Sequence, residues 1–137
     1  MSHTASAAAH PDEIWQALQS ASTWMGLGVM DEVAEEVRLN GRLVSFDWVA
    51  SVGSTRHKGT ARVTIAEPGA RMVLALKSSE VEGELEVRLR EAGSTSVLDV
   101  TLTARPRGFL GSMFWGRISD ALGRGLPARV EEFAAGF

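Results

Sequence analysis

The 137-residue sequence has no cysteine, which excludes disulfides, thiolate metal ligands and a cysteine nucleophile together. Tyrosine is absent too, which removes a common proton donor. Two lysines and one asparagine stand against twelve arginines, a usage that looks like GC-rich coding bias. No basic run occurs and the formal net charge is −3, so a nucleic-acid partner is not expected. No stretch approaches the roughly 18 consecutive apolar residues of a membrane span. The start, Met1-Ser2-His3-Thr4-Ala5-Ser6, lacks the basic and apolar regions of a secretory signal, so a cytoplasmic location is expected. What remains is ordinary for a globular chain: 45% hydrophobic, 23% charged and a mean hydropathy of +0.00. The length allows one domain, spanning residues 1–137, with room for a real core.

Residues Met1–Ala9 are small and partly β-branched, and predict a short first strand. Pro11 suits the first position of a helix, and Asp12 and Glu13 favour its positive end. Ile14, Trp15 and Leu18 form a one-sided stripe that predicts a helix over Pro11–Gln19. A second helical turn covers Ser22–Leu27. The period then changes to two. Val33, Glu35, Val37 and Leu39 alternate with polar neighbours, and Asn40-Gly41 is a strong hairpin turn. A turn there sets Val37 opposite Val44, Glu35 opposite Phe46 and Val33 opposite Trp48. The next strand runs over Gly59–Glu67, with Ala61, Val63 and Ile65 on one face. Pro68-Gly69 is turn chemistry, and Arg71–Ser78 follows with Met72, Leu74 and Leu76 facing inward.

Charge registers the last hairpin. A Gly93-Ser94 turn pairs Val87 with Val100 and sets Arg88 opposite Asp99, whereas a turn at Glu91–Ser94 would oppose Glu86 to Asp99. The first register is therefore expected, with Leu85, Val87, Leu89, Leu98, Val100 and Leu102 facing inward. From Gly108 to Phe137 the pattern is helical. Leu110, Phe114, Ile118 and Leu122 form one stripe and Leu126, Val130, Phe133 and Phe137 another, rotated by roughly one residue. The phase slips at Gly123–Pro127, so the helix should bend or break there.

This order of elements, with His10-Pro11-Asp12-Glu13-Ile14-Trp15 after the first strand, Glu67-Pro68-Gly69-Ala70-Arg71 and Gly93-Ser94-Thr95 at turns, and Gly108-Phe109-Leu110-Gly111 opening the last helix, resembles the START-like (SRPBCC) superfamily. Its bacterial polyketide cyclase/dehydrase-like branch is the part it resembles most. The resemblance covers nearly the whole chain. It implies an α+β helix-grip fold, in which a seven-stranded curved antiparallel sheet wraps a long C-terminal helix and two short helices separate the first two strands. It also implies an apolar cavity between sheet and helix that takes a small hydrophobic molecule, such as a lipid or a polyketide. No cofactor is implied, and neither an oligomeric state nor a particular ligand follows.

The large residues expected around such a cavity are Trp24, Phe46, Trp48, Met72, Met113, Phe114 and Trp115, whose polarizable surfaces suit a ligand as well as a core. Glu35 is the one acid on the inner face by the Asn40-Gly41 register, where desolvation would raise its pKa and fit it for acid/base work. A bulge there would instead turn it to solvent. The histidines His3, His10 and His57 share no metal-ligand spacing, so no metal site is expected. Ser112 lacks a nucleophile elbow, and Gly26-Leu27-Gly28 is too short for a phosphate loop. Arg56, His57 and Lys58 read as a solvated loop between strands, with guarding of a cavity mouth as the alternative.

Three functions follow. The first is binding of a small hydrophobic ligand. The second is a polyketide cyclase, aromatase or dehydratase with Glu35 as acid/base. With one candidate acid, no tyrosine and no inner histidine, binding is favoured over turnover. The third is an accessory interaction module resembling the START-like accessory proteins of carbon monoxide dehydrogenase, which a filled interior would favour.

Overall fold

The computed structural model describes residues 1–28 and 30–137. Strand β1 (Ser2–Ala7) leads into helices α1 (Pro11–Ala17) and α2 (Ala21–Leu27). Six strands follow: β2 (Glu32–Leu39), β3 (Arg42–Val52), β4 (Thr55–Glu67), β5 (Arg71–Ser78), β6 (Val81–Ala92) and β7 (Thr95–Pro106). The C-terminal helical stretch is divided into α3 (Gly108–Met113), α4 (Trp115–Gly123) and α5 (Leu126–Ala135). All neighbouring strands are antiparallel in one seven-stranded sheet, ordered β1-β7-β6-β5-β4-β3-β2. No helix among the described residues is long and apolar enough to cross a membrane.

The local chemistry explains most boundaries. The His10 ring caps α1 by accepting from the Asp12 amide at 3.2 Å, and Pro11 occupies the position where no amide donor is missed. Asn40 and Gly41 both take positive φ, as the tightest hairpin turn requires. The β6–β7 hairpin turns at Gly93-Ser94, with Val87 paired to Val100 and Arg88 to Asp99, as the charge argument requires. Leu85, Val87, Leu89, Leu98, Val100 and Leu102 are all buried in one core with Trp24, Phe46 and Met72.

The helical stretch breaks where the stripes change phase. Helix α4 ends at Gly123, Gly125 sits in the left-handed region at φ 74°, and Pro127 falls in the first turn of α5. A second interruption, at Phe114, was not foreshadowed by the apolar pattern, which runs through it unbroken. Arg129 bridges the lower break. Its guanidinium donates to the carbonyls of Leu27, Arg124 and Leu122, and burial lowers its pKa from the ordinary arginine value.

Three sequence expectations are corrected. In the β2–β3 hairpin, Val33 pairs with Trp48 and Leu39 with Arg42 as the turn predicts, but Val37 pairs with Ser45. Two compensating bulges lie between, one placing both Glu35 and Glu36 opposite Phe46 and one making Val44 the extra residue. Glu35 is therefore exposed, at φ 52°, and Val37 is half exposed rather than inward. The gain is made by Glu36, whose carboxylate accepts the Ala21 amide at 2.6 Å at the start of α2. That bond, and the neighbouring Arg38 guanidinium, hold the Glu36 carboxyl below the usual carboxylate range. Second, a bulge after Val63 pairs Ile65 with Val73 and turns Ile65 to the outer face. Third, Arg56, His57 and Lys58 are not a loop: β4 begins at Thr55, and the β3–β4 turn is at Gly53-Ser54.

Candidate functional site

The longer β4 changes the inner face. Ala61 pairs with Phe46, Gly59 with Trp48 and His57 with Ala50, so His57 points the same way as the buried Ala61. Gly59 has no side chain for a reason, since a Cβ there would overlap the Trp48 indole. The ring fills that space, and its Nε1 donates to the Thr60 carbonyl at 2.9 Å.

The sheet interior is consequently almost full. Two residual voids of about 40 Å³ and about 30 Å³ lie under α4, both bordered by Trp48, Ala50, Leu76, Leu102 and Leu122. Each holds a water or two at most and falls far below the ~300–1,000 Å³ of an ordinary ligand pocket. Beyond them, where the β3–β4 hairpin meets α3 and α4, the space widens into an open cleft of about 290 Å³. Its apolar wall is Val52, Leu110, Phe114 and Ile118, and its polar groups are Thr55, His57, Glu80 and Arg117. Val52, His57 and Ile118 border both the cleft and the larger inner void, so they stand at its throat. Two larger hollows, of about 420 Å³ and about 540 Å³, are shallow grooves between charged side chains such as Lys77, Glu82 and Arg105, or Glu67, Arg71 and Arg88. Their linings are more polar in proportion than that of the cleft.

The centre of the cleft is an ordered pair. His57 Nδ1 lies 3.1 Å from Glu80 Oε2, with both side chains mostly shielded, at 14% and 21% exposure. The Ser79 hydroxyl holds the Glu80 carboxyl below the usual carboxylate range, His57 adds to this, and burial opposes it. An ionised carboxylate can only accept, so His57 Nδ1 carries the proton. Glu80 is itself fixed by its backbone. Its carbonyl accepts from the Arg107 amide at 2.8 Å, its amide donates to Ser78 Oγ at 3.3 Å, and Gly111 presses so close that a Cβ would overlap that carbonyl. Arg107 also donates to the Ser78 carbonyl at 3.0 Å. The β5–β6 turn and the start of α3 thus form one unit that aims the carboxylate at His57.

Of the residues picked out from sequence, Trp48 borders the inner voids and Phe114 lines the cleft. Trp24, Phe46 and Met72 are fully buried in the core and line none of these spaces. Met113 faces solvent, and Trp115 is half-buried outside the cleft. Glu35 lies at the β2 bulge, not among the cleft residues. Sequence reasoning missed Glu80, and named His57 only as part of a solvated loop with guarding of a cavity mouth as the alternative. The period of Ala61 and Gly59, carried one step back, reaches His57, but Ser51–Lys58 carries no apolar alternation to signal a strand. Glu80 sits in a turn, where no periodicity operates.

No protein-family model matches the chain, and no curated protein matches it in sequence. Solved structures match it in shape. The chain is similar to a START superfamily protein from Mycobacterium smegmatis, at 16% identity and a TM-score of 0.65, over 96% of this chain and 97% of that one. It is also similar to the Zhui aromatase/cyclase from Streptomyces sp. R1128, at 15% identity and a TM-score of 0.69, over 99% and 90%. The di-domain ARO/CYC StfQ of the steffimycin biosynthetic pathway matches at 15% identity and a TM-score of 0.65, over 98% of this chain and 49% of that one. Together with the seven-stranded antiparallel sheet closed around a C-terminal helical stretch, these likenesses give the chain the START-like helix-grip fold.

Proposed function

We propose that the chain binds a small hydrophobic molecule in the cleft between the β3–β4 hairpin and the α3–α4 helices. The observation that carries this reading is the cleft itself: about 290 Å³ with an apolar wall and one ordered His57–Glu80 pair at its throat. Apolar surface supplies the driving force, and a few fixed polar groups orient the guest. With the interior filled by Trp48 and its neighbours, the guest sits at the mouth, so it is small: a molecule of one or two rings or a short acyl chain. The enzymatic alternative, an aromatase- or cyclase-like reaction as in the similar proteins so named, passes from Glu35 to His57 as the acid/base group.

A second reading, an interaction module, is favoured by α3. Its Gly111 side packs on Glu80, while Phe109, Leu110, Met113 and Phe114 are exposed at 76%, 55%, 55% and 46%. A helix that buries glycine and exposes phenylalanine is the reverse of an ordinary surface helix. Native mass spectrometry of the purified protein separates the two readings. A chain carrying a co-purified apolar mass supports the binder, and a ligand-free chain found only in a stable protein assembly supports the module.

A further inference from the structure

In the neutral ring, the ionised Glu80 holds the His57 proton on Nδ1, which leaves the other ring nitrogen, Nε2, as a lone-pair acceptor. Among the described residues Nε2 has no hydrogen-bond partner, and no buried side-chain nitrogen or oxygen goes unpaired. Nε2 is therefore accessible, and His57 borders both the cleft and the larger inner void. The carboxylate–histidine arrangement is built to be stiff. Glu80 is clamped through its own backbone by Arg107, Ser78 and Gly111, and His57 is strand-paired to Ala50. Its neighbours in the cleft are chemically uneven. Val52, Leu110, Phe114 and Ile118 offer nothing polar from their side chains, the Thr55 hydroxyl can turn either way, and Arg117 is a cation. The Glu80 carboxylate is already engaged, with Oε2 accepting from His57 Nδ1 and Ser78 Oγ. A polar guest group thus meets an unpartnered acceptor, His57 Nε2, in a cleft that Arg117 also lines.

We infer that the cleft selects an apolar ring compound bearing an acidic hydroxyl, a phenol or enol, whose O–H donates to His57 Nε2 while its rings lie against Leu110, Phe114 and Ile118. A neutral hydroxyl gives Nε2 the donor that it lacks. Should the proton move, it passes from the ligand oxygen to Nε2, giving an imidazolium paired with Glu80 and an oxyanion beside Arg117. No other reactant is needed. A plain hydrocarbon fills the same wall but leaves the acceptor unpaired, and a carboxylic acid, ionised at neutral pH, has no proton to offer.

This inference rests on the cleft being a ligand site, and the test separates the two. The affinities of 2-naphthol and 2-methylnaphthalene are measured by calorimetry on the wild-type chain and on His57→Leu and Glu80→Gln. The wild type should bind the naphthol roughly five- to tenfold more tightly than the hydrocarbon, the scale of one hydrogen bond. His57→Leu should erase that preference while leaving 2-methylnaphthalene within twofold, and Glu80→Gln should reduce it by releasing the tautomer. Ring 15N shifts of His57 in the wild type should show the Nδ1–H tautomer, a readout independent of whether either variant folds. Equal binding of both compounds by the wild type, an Nε2–H tautomer, or a doubly protonated ring at neutral pH overturns the inference while leaving the cleft a ligand site. Binding of neither compound overturns both.

Discussion

His57 and Glu80 hold the polar chemistry of the cleft through a single hydrogen bond, and the acid that stands out in the sequence lies elsewhere. Glu35 and Glu36 are adjacent, yet one bulge gives them opposite fates. Glu36 accepts the Ala21 amide at the start of α2, and Glu35 projects to solvent in a left-handed conformation. Glu36→Gln should therefore cost about 1 kcal/mol in urea denaturation, since it weakens both the cap and the favourable charge at a helix start. Glu35→Gln should change stability by less than about 0.5 kcal/mol and leave naphthol binding untouched. A binding loss in Glu35→Gln would return that residue to the site. The sequence could not distinguish these two acids, because a bulge is chosen by what the extra residue reaches in three dimensions. Here that target is the α2 amide.

Among the elements, α3 is defined by what it presses against. Gly111 lies on the carbonyl of Glu80, so Gly111→Ala should push α3 away from the β5–β6 turn. The expected cost is about 1–3 kcal/mol, typical of overpacking, with weaker naphthol binding as the Glu80 carboxylate loses its aim. Thermal melts and calorimetry on the same variant check both, and an unchanged affinity would detach α3 from the site. At the α4–α5 break, Gly125 holds φ 74°, so Gly125→Ala should cost about 1 kcal/mol by melting temperature. The break was legible because two apolar stripes out of phase cannot share one straight helix. The β6–β7 register was legible because the opposed Arg88 and Asp99 leave few alternatives, and Asn40-Gly41 fixed the β2–β3 turn but not the bulges beyond it. The start of β4 was not legible, because Thr55–Lys58 is polar on both faces and only pairing with β3 makes it a strand.

For the whole molecule, acid stability should follow four glutamates. Glu36, Glu80, Glu82 and Glu86 are each held below the usual carboxylate range, chiefly by hydrogen bonds from the Ala21 amide, the Ser79 hydroxyl, Arg105 and Arg88 respectively. A depressed folded-state pKa means that the unfolded chain binds protons first as pH falls. Their contribution is complete above the ordinary glutamate value of about 4.3 and is lost as pH drops through the lower folded-state values. Urea midpoints should thus hold level from pH 7 to about 5 and fall steeply below about 4. A midpoint that rises on acidification would contradict the assignment. The site itself was only partly legible. Phe114 and Trp48 were visible as large residues near the expected cavity, but the filling of the interior depends on Gly59 admitting the Trp48 ring, a cross-strand fit that no single-strand pattern reveals. The proposed working space is the mouth cleft and not the sheet interior. Amide chemical shifts recorded while 2-naphthol is titrated into the wild-type chain test it most directly. Shifts concentrated at Val52, Thr55, His57, Glu80, Leu110, Phe114, Arg117 and Ile118 are the predicted result, and shifts confined to other regions, or none at saturating ligand, would contradict it.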